Sequence, residues 1–202
     1  MIDHPLVHHK LAELRARATP SREFRRLLGE IAALMTYEVC RGFATAPCDI
    51  ETPLETMKGR RLARPVTVVP VLRAGLGMTR GVLDMLPDAR VGHIGVRRDE
   101  ESALPISYYT RLPADAGDGP VLLVDPMLAT GGSADQALAL LQEAGCRDVR
   151  LVCIVAAPEG VAHLARTHPH VPVYAAALDR QLDERKFIRP GLGDAGDRCF
   201  GT

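Results

Sequence analysis

Apolar residues along the chain fall into short runs that alternate with stretches of helical periodicity. Between Ser21 and Val39 they recur at the spacing of one helix face, which predicts an amphipathic helix with Ser21 as its cap. Runs of about four to eight mostly apolar residues are typical of strands buried on both faces. Such runs predict strands over Val66–Leu72, Val91–Val96, Val121–Val124, Val149–Ala156 and Val171–Ala176.

Helical patterns lie between these predicted strands. Val82–Leu86 belongs to a short helix, and a longer helix begins near Ser133. Ser133 and Gln136 have the spacing of a capping box, and Gly145 suits the end of that helix. Alternating strands and helices predict an α/β fold with a mainly parallel, doubly wound sheet. Since 47% of its 202 residues are hydrophobic, the chain can bury a substantial core, and we expect one domain over residues 1–202.

The segment VLLVDPMLATGGS, residues 121–133, has the layout of a phosphate site. Asp125 directly follows a predicted buried strand, and open parallel sheets bind ligands at the carboxyl ends of their strands. Small and hydroxyl residues from Ala129 to Ser133 offer backbone N–H groups without bulk, and the next helix directs its positive dipole end to the same place. The GxxxxGKS/T pattern is absent and no lysine lies in the loop, which excludes a P-loop NTPase.

Charge and cysteine content narrow the class of protein. Lys+Arg and Asp+Glu number 25 each, so the chain lacks the broad basic field of a dedicated nucleic-acid binder. Five cysteines show no CxxC pairing and no N-terminal apolar segment resembles a signal peptide or anchor, so we expect a cytoplasmic protein without a membrane partner. His8 with His9, and His168 with His170, lack partners at metal-ligand spacing, and we expect solvated or capping side chains there.

One phosphate on this loop, with a carboxylate a few residues upstream, suits a ribose 5-phosphate derivative whose ring hydroxyls bond to Asp125. At this point the sequence resembles a known family. VDPMLATGGS is similar to the phosphoribosyl diphosphate (PRPP) signature of the uracil phosphoribosyltransferases, in which Pro126 stands where related enzymes usually carry a second acid. The resemblance continues through HPLVHHKL, VVPVLRAGLGM, RDEE, VAAPEG and PGLGDAGDR, and it is weakest over residues 45–64.

The resemblance implies a type I phosphoribosyltransferase-like fold with a small hood over the base, made by N-terminal helices and the C-terminal tail, and an extended β-arm. Pro105–Leu112 would be the return limb of that arm, which is mobile in the family and helps to make dimers. Mg2+ is implied as well, held mainly through the substrate's diphosphate or through water to Asp125 rather than by a cage of protein ligands. Family members are homodimers or higher homo-oligomers, and some are activated by GTP. The resemblance therefore implies a homo-oligomer and makes GTP a candidate effector.

Two arginines are further candidate PRPP ligands. Arg73 lies in the glycine-rich turn LRAGLG, where a guanidinium and backbone amides could hold a diphosphate; a tight turn without a ligand is the alternative. The family's next PRPP contact maps to Arg98 rather than Arg97, in a charged stretch for which an exposed turn is the alternative. The resemblance assigns the other PRPP contacts to Asp125, Pro126, Met127, Leu128, Ala129, Thr130, Gly131, Gly132, Ser133 and Asp194.

The C-terminal motif GLGDAG, residues 191–196, matches the dinucleotide fingerprint GxGxxG only in letters. Pro190 precedes it and six residues follow it, too few for the helix and acid of a βαβ unit. Glycines instead let the main chain approach a flat base, and uracil's O2, N3–H and O4 form an edge that main-chain groups can pair in full. The resemblance assigns the uracil contacts to Ile188, Gly193, Asp194 and Ala195, beside Arg189, where the family usually has an aliphatic residue.

The activity implied is transfer of ribose 5-phosphate from PRPP to N1 of uracil, giving UMP and diphosphate in pyrimidine salvage, with Asp125, Arg98 and Asp194 as candidate catalytic residues. One alternative is a phosphoribosyltransferase for orotate or a purine, but the missing second acid beside Asp125 and the GLGDAG tail argue against it. The other is a non-catalytic regulator that senses PRPP or UMP and binds RNA. The neutral net charge argues against that class.

Overall fold

The computed structural model describes residues 1–98 and 105–202. The α-helices there are α1 (Pro5–Arg15), α2 (Ser21–Val39), α3 (Leu76–Met85), α4 (Gly132–Glu143), α5 (Pro158–Thr167) and α6 (Ala195–Phe200). The strands are β1 (Thr45–Glu51), β2 (Thr56–Leu62), β3 (Thr67–Leu72), β4 (Arg90–Val91), β5 (His93–Arg98), β6 (Pro105–Arg111), β7 (Val121–Val124), β8 (Met127–Leu128), β9 (Val149–Ala156), β10 (Val173–Leu178), β11 (Gln181–Leu182) and β12 (Ile188–Arg189).

The central sheet has the strand order β10-β9-β7-β3-β5-β6. Neighbouring strands are parallel from β10 to β5, and only the edge pair β5 and β6 is antiparallel within the described residues. The chain leaves β3 for β5 on one side and later returns to β7 on the other, so the strand order reverses between β3 and β7. Ligands of doubly wound sheets bind at the carboxyl ends of the strands beside such a reversal. The predicted mainly parallel α/β sheet is confirmed.

Alternate residues of the central strands pack into two apolar clusters on opposite faces of the sheet. In β7, Leu122 and Val124 join one cluster, together with side chains of α1, α2, α3 and α6. Val121 and Leu123 point the other way and pack with side chains of α4 and α5. Both faces are therefore covered, which is why these strands read as continuous apolar runs. None of the described helices combines the length and the apolar character needed to cross a bilayer.

Two predicted helix caps are wrong, although the helices themselves are present. Pro20, not Ser21, occupies the cap position of α2, and no side-chain hydrogen bond caps that helix. In α4 the cap position belongs to Gly131, whose φ of +90° turns the chain into the helix before Ser133 is reached. The Gly131 carbonyl accepts from the Asp135 N–H at 2.8 Å, so the capping box of Ser133 does not form.

A hairpin that the apolar pattern did not predict is formed by β1 and β2. The two strands pair over Thr45–Leu62 in a small sheet of their own, and most of their residues are exposed. Ala46, Cys48 and Ile50 alternate with exposed residues in β1, but β2 has no such alternation and neither strand has a fully buried residue. By contrast, β6 pairs with β5 as predicted for the return limb Pro105–Leu112. A role of that limb in dimer formation stays a prediction.

The helices α2 and α3 cross at glycines, and this contact carries a stability prediction. A Cβ added at Gly81 would lie 1.9 Å from the Gly29 carbonyl oxygen, so the Gly81→Ala variant must push the two helices apart. We expect the free energy of unfolding to fall by about 3 kcal/mol, the upper range for overpacking a tight contact. Urea unfolding measures it. Gly42→Ala is the matched control, since a Cβ at Gly42 meets nothing within 4 Å; equal losses in both variants would contradict the prediction.

Candidate active site

A cavity of about 380 Å³ lies at the carboxyl end of β7, beside the reversal of strand order. It is lined by Asp125, Met127, Leu128, Ala129, Thr130, Gly131, Gly132, Ser133, Ala134, Lys186, Phe187, Ile188 and Asp194. A larger cavity of about 870 Å³ lies between α2 and α3 and shares no lining residue with the first. The smaller cavity therefore brings together most of the predicted PRPP residues and two of the four predicted uracil residues, Ile188 and Asp194.

The predicted phosphate loop is held rigidly by the strand and helix behind it. The carbonyl of Pro126 accepts from the N–H groups of Ile154 and Val155 at 3.0 Å, and the carbonyl of Leu128 accepts from Ala157 at 2.8 Å. Gly160 in α5 lets the helix approach the loop, since a Cβ there would lie 2.4 Å from the Ala129 oxygen. The loop thus reaches the first turn of α4 with its backbone fixed, as a preformed anion site requires.

Asp125 lies on the floor of the cavity and is mostly buried. Its Oδ1 accepts a long hydrogen bond of 3.4 Å from the Met127 N–H. Burial raises the pKa of the Asp125 carboxyl to about 7, and the Met127 hydrogen bond opposes this only in part. The ligand-free protein consequently holds a carboxyl poised to change its charge near neutral pH.

A pKa near 7 for Asp125 predicts that kcat/KM depends on pH. Above pH 7 Asp125 is ionised and can accept from hydroxyl groups with both oxygens, while below pH 7 it is protonated. We expect kcat/KM for PRPP to fall about tenfold per pH unit below a midpoint near 7, because this quantity reports groups of the free enzyme. Steady-state kinetics between pH 5.5 and 8.5 measure it, with Asp125→Asn as the control for titration of the substrate's own phosphates. A flat profile for the native chain, or the same slope in both chains, would contradict it.

The opposite wall of the cavity comes from the C-terminal part of the chain. The hairpin of β11 and β12 places Ile188 there with 6% of its surface exposed. Asp194 caps α6, and its Oδ1 accepts from the Asp197 N–H at 3.0 Å. Gly193 and Ala195 adjoin this residue but are absent from the cavity lining, and Ala195 is fully buried.

Two residues of this wall, Lys186 and Phe187, were missed by sequence reasoning. Lys186 adopts a φ of +68°, a conformation that side chains other than glycine seldom take. Their position directly before Ile188 was the available signal, since a hairpin that carries one contact residue brings its neighbours to the same rim.

The Arg73 side chain is held toward α6 rather than into the cavity. Its Nη2 lies 3.6 Å from Asp197 Oδ1, and its guanidinium lies 5.9 Å from the centre of the Phe200 ring. Packing requires a glycine at the neighbouring position 75, because a Cβ at Gly75 would lie 2.5 Å from the Val124 carbonyl oxygen. Arg73 therefore lies beside α6, whose cap residue Asp194 lines the cavity.

The acidic run predicted to follow Arg98 lies outside the described residues. The backbone of Arg98 ends β5, but its side chain is also outside the described part, as are Asp99, Glu100 and Glu101. Arg97 is exposed on β5. The predicted PRPP contact of Arg98 stays a prediction.

Arg189, which stands where the family usually has an aliphatic residue, points away from the C-terminal wall of the cavity. Its Nε donates to Asp183 Oδ2 at 2.7 Å across the β11–β12 hairpin, and it does not line the cavity. Alternating side chains of a strand face opposite sides, so a buried Ile188 and an exposed Arg189 are compatible. The cavity keeps an apolar rim at this point.

His168 occupies the cap position at the C-terminal end of α5, which confirms the expectation of a capping residue, although its side chain is not solvated. This side chain is buried, and its Nε2 lies 3.1 Å from Asp135 Oδ1. Its Nδ1 lies 3.2 Å from the Gln142 amide nitrogen. The partners are distant in sequence and come from α4, which is why ligand spacing along the chain did not reveal them.

Across the described residues, no group of three or more His, Cys, Asp or Glu side chains could hold a metal ion. The carboxylates of Asp125 and Asp194 nevertheless line one cavity. Oxygen donors of this kind suit Mg2+, which is commonly bound by one or two carboxylates together with substrate phosphates and water. The donor set fits an ion that arrives with a diphosphate.

The whole chain, residues 1–202, matches the model of the family described as uracil phosphoribosyltransferase. The chain belongs to the uracil phosphoribosyltransferase family. A uracil phosphoribosyltransferase of Acholeplasma laidlawii is 52% identical over 202 residues, which span 100% of this chain and 97% of that relative.

Solved structures show a similar fold. The AQ2163 protein from Aquifex aeolicus superposes with a TM-score of 0.95 at 33% identity, over 100% of this chain and 97% of that one. A hypoxanthine-guanine phosphoribosyltransferase from Bacillus anthracis has a TM-score of 0.54 at 11% identity, over 79% of this chain and 80% of that one. The second likeness concerns the fold alone and confirms the type I phosphoribosyltransferase architecture.

Proposed function

We propose that this chain transfers the ribose 5-phosphate group of PRPP to N1 of uracil, releasing UMP and diphosphate. One observation carries the proposal: a preformed anion loop with Asp125 faces the wall of Ile188 and Asp194 across a single cavity of about 380 Å³. A sugar phosphate and a flat base placed on these two walls would meet between them. Family membership over the whole chain supports the same reaction.

PRPP would lie on the wall formed by the loop and α4. Its 5-phosphate binds backbone N–H groups and hydroxyls of the segment from Ala129 to Ser133, at the positive end of α4. Its ribose hydroxyls donate to the ionised carboxylate of Asp125. Arg73 and Arg98 serve as the cations for the diphosphate, and Pro126, Met127 and Leu128 carry the chain between ribose and phosphate.

Uracil would lie on the C-terminal wall. Ile188 supplies an apolar contact to the ring, while main-chain groups of Gly193, Asp194 and Ala195 pair with its polar edge. Cytosine reverses donor and acceptor at two of these positions and would leave buried groups unpaired, which can discriminate strongly.

The reaction breaks the bond between C1 of the ribose and the diphosphate oxygen and forms one from C1 to N1 of uracil, while the N1 proton passes to the departing diphosphate or to water. Positive charge develops on the ribose in a transition state that resembles an oxocarbenium ion, and Asp125 and Asp194 stabilise it electrostatically. Asp125 and Asp194 would hold Mg2+ through water, and the ion would supply positive charge that stabilises the leaving diphosphate. No covalent intermediate on the protein is required.

Several expectations from the family stay predictions. These are activation by GTP, assembly into homodimers or larger homo-oligomers, a cytoplasmic location, and one domain over residues 1–202 in which the terminal elements form the hood. Size-exclusion chromatography measures the assembly, and the initial rate of UMP formation with and without GTP measures activation.

The proposal is tested by the stoichiometry of the reaction. Purified protein, uracil, PRPP and Mg2+ are expected to give UMP and diphosphate in equal amounts over many turnovers per chain, and EDTA is expected to stop the reaction. Binding of PRPP or UMP without turnover would contradict it and would favour the regulator that senses these ligands.

A further inference from the structure

The loop that leads into the proposed base wall is tied to α1 by a buried ion pair. Arg15, the last residue of α1, meets Asp179 with both nitrogens, Nη1 to Oδ2 at 2.7 Å and Nη2 to Oδ1 at 2.6 Å. Only 6% of the Asp179 side chain is exposed. The Asp179 N–H donates to the Ala156 carbonyl at 2.8 Å, which anchors it to the end of β9.

Both backbone polar groups of Gly191 bind this pair. The Gly191 N–H donates to Asp179 Oδ2 at 2.8 Å, and its carbonyl accepts from Arg15 Nη1 at 2.6 Å. Gly191 has a φ of +65°, and a Cβ there would lie 2.2 Å from the Ile188 carbonyl oxygen. Position, orientation and conformation of this one peptide are thus set by groups from α1 and the end of β10.

A second arginine fixes the next peptide. Arg198 donates to the Leu192 carbonyl at 2.7 Å and to the Ala16 carbonyl at 2.6 Å, and its guanidinium lies 4.4 Å from the centre of the Phe24 ring. The carbonyls of Gly191 and Leu192 are therefore engaged by the hood, and the main chain available to a base begins at Gly193.

We propose that the Arg15–Asp179 pair positions the base-recognition segment and so sets base specificity. The inference rests on the proposed function, since it assumes that main-chain groups from Gly193 onward read uracil. Its physical reason is that a main-chain edge discriminates donor from acceptor only when it cannot rotate or shift by an ångström. Arg15 touches no part of the cavity and acts through Gly191, so it is a positioning residue rather than a catalytic one.

The test compares Arg15→Lys with the native chain. Lysine keeps the charge, so Asp179 stays paired, but it cannot form the two-nitrogen contact and hold the Gly191 carbonyl as well. We expect KM for uracil to rise about tenfold, the equivalent of one lost charge-assisted hydrogen bond, with kcat/KM for PRPP changed less than about twofold. The preference for uracil over cytosine should fall by a similar factor.

Lys10→Gln is the matched control. Lys10 also lies on α1, and its Nζ is 2.6 Å from Glu30 Oε2 on α2, but this pair makes no contact with the Gly191 loop. The Lys10→Gln variant is expected to leave both KM for uracil and KM for PRPP unchanged. Equal losses for uracil and PRPP in Arg15→Lys, or an unchanged uracil KM, would overturn the inference. A native chain without uracil turnover would instead overturn the proposed function.

Hydrogen exchange of the Gly191 amide tests the inference in the native chain, without a substitution. The Gly191 amide, bound to a buried carboxylate, is expected to exchange slowly in the ligand-free native chain. Exchange as fast as that of the exposed hairpin β1–β2 would show that the pair does not hold the segment, and would also overturn the inference.

Discussion

Asp125→Asn is expected to lower kcat/KM for PRPP by about 10²–10³-fold, the usual loss when one preorganised group is removed from a charged transition state. An amide is close in shape to a carboxylate but is neutral and has a single acceptor oxygen, so it binds the ribose hydroxyls less well and does not stabilise positive charge on the ring. The rate of UMP formation at saturating uracil measures it. Asp84→Asn, on the exposed surface of α3, is the control. A variant at position 125 with native kcat/KM would place the ribose elsewhere.

The same substitution is expected to stabilise the ligand-free protein. Burial raises the pKa of Asp125 from 3.8 to about 7, so between these values the folded state binds more protons than the unfolded state. The free energy of unfolding therefore falls as pH rises through this window. Because one pKa unit corresponds to about 1.4 kcal/mol, the gain in the variant should reach about 2–4 kcal/mol at pH 8 and shrink toward pH 5. Urea unfolding at both pH values measures it, and a less stable variant at pH 8 would contradict it.

Gly131→Ala is expected to raise KM for PRPP by about tenfold or more, through the same loss of positioning that a shift of about 1 Å causes. Gly131 has a φ of +90°, and a Cβ there would lie 2.9 Å from His163 Cδ2 and 3.2 Å from the Gly160 carbonyl oxygen. The loop must therefore move away from α5, and its N–H groups leave the phosphate position.

Gly145→Ala separates this effect from backbone strain alone. Gly145 follows the same helix, α4, and has a φ of +83°, but a Cβ there meets nothing within 4 Å. Both variants should lose about 1–2 kcal/mol of stability, the usual penalty for a left-handed alanine. Only Gly131→Ala should change KM for PRPP. If steady-state kinetics show the same KM in both variants, the crowding at His163 has no influence on the phosphate loop.

The phosphate wall was predictable because its signals are local. Val121–Val124, Asp125 and the small residues up to Ser133 follow one another in the chain, and a buried strand, a turn and a helix form from that order alone. Gly131 shows the limit of this reasoning. Its positive φ and its contact with α5 depend on packing between distant elements, so the start of α4 was misplaced and the cap was assigned to Ser133.

The C-terminal wall of the cavity was expected only through family resemblance. Ile188 and Asp194 lie opposite the loop after β7 because the chain folds back after β10. The pattern of apolar residues does not predict this reversal of the chain. The same holds for Arg15 and Asp179, which lie 164 residues apart and carry no motif. Nor did the pattern reveal Lys186 and Phe187, whose place in the cavity follows from the hairpin.

The measurement that tests the central claim most directly offers PRPP and Mg2+ to the native chain with uracil, orotate, cytosine or hypoxanthine, and identifies the nucleotide formed. We predict UMP from uracil, with turnover of the other three bases lower by about two orders of magnitude or more. Cytosine and hypoxanthine would leave polar groups of the C-terminal wall unpaired. Orotate has the same O2, N3–H and O4 edge as uracil, but its extra carboxylate would meet Ile188 and the acidic Asp194. Faster turnover of orotate or hypoxanthine than of uracil would contradict the account of the site and assign the cavity to a different base.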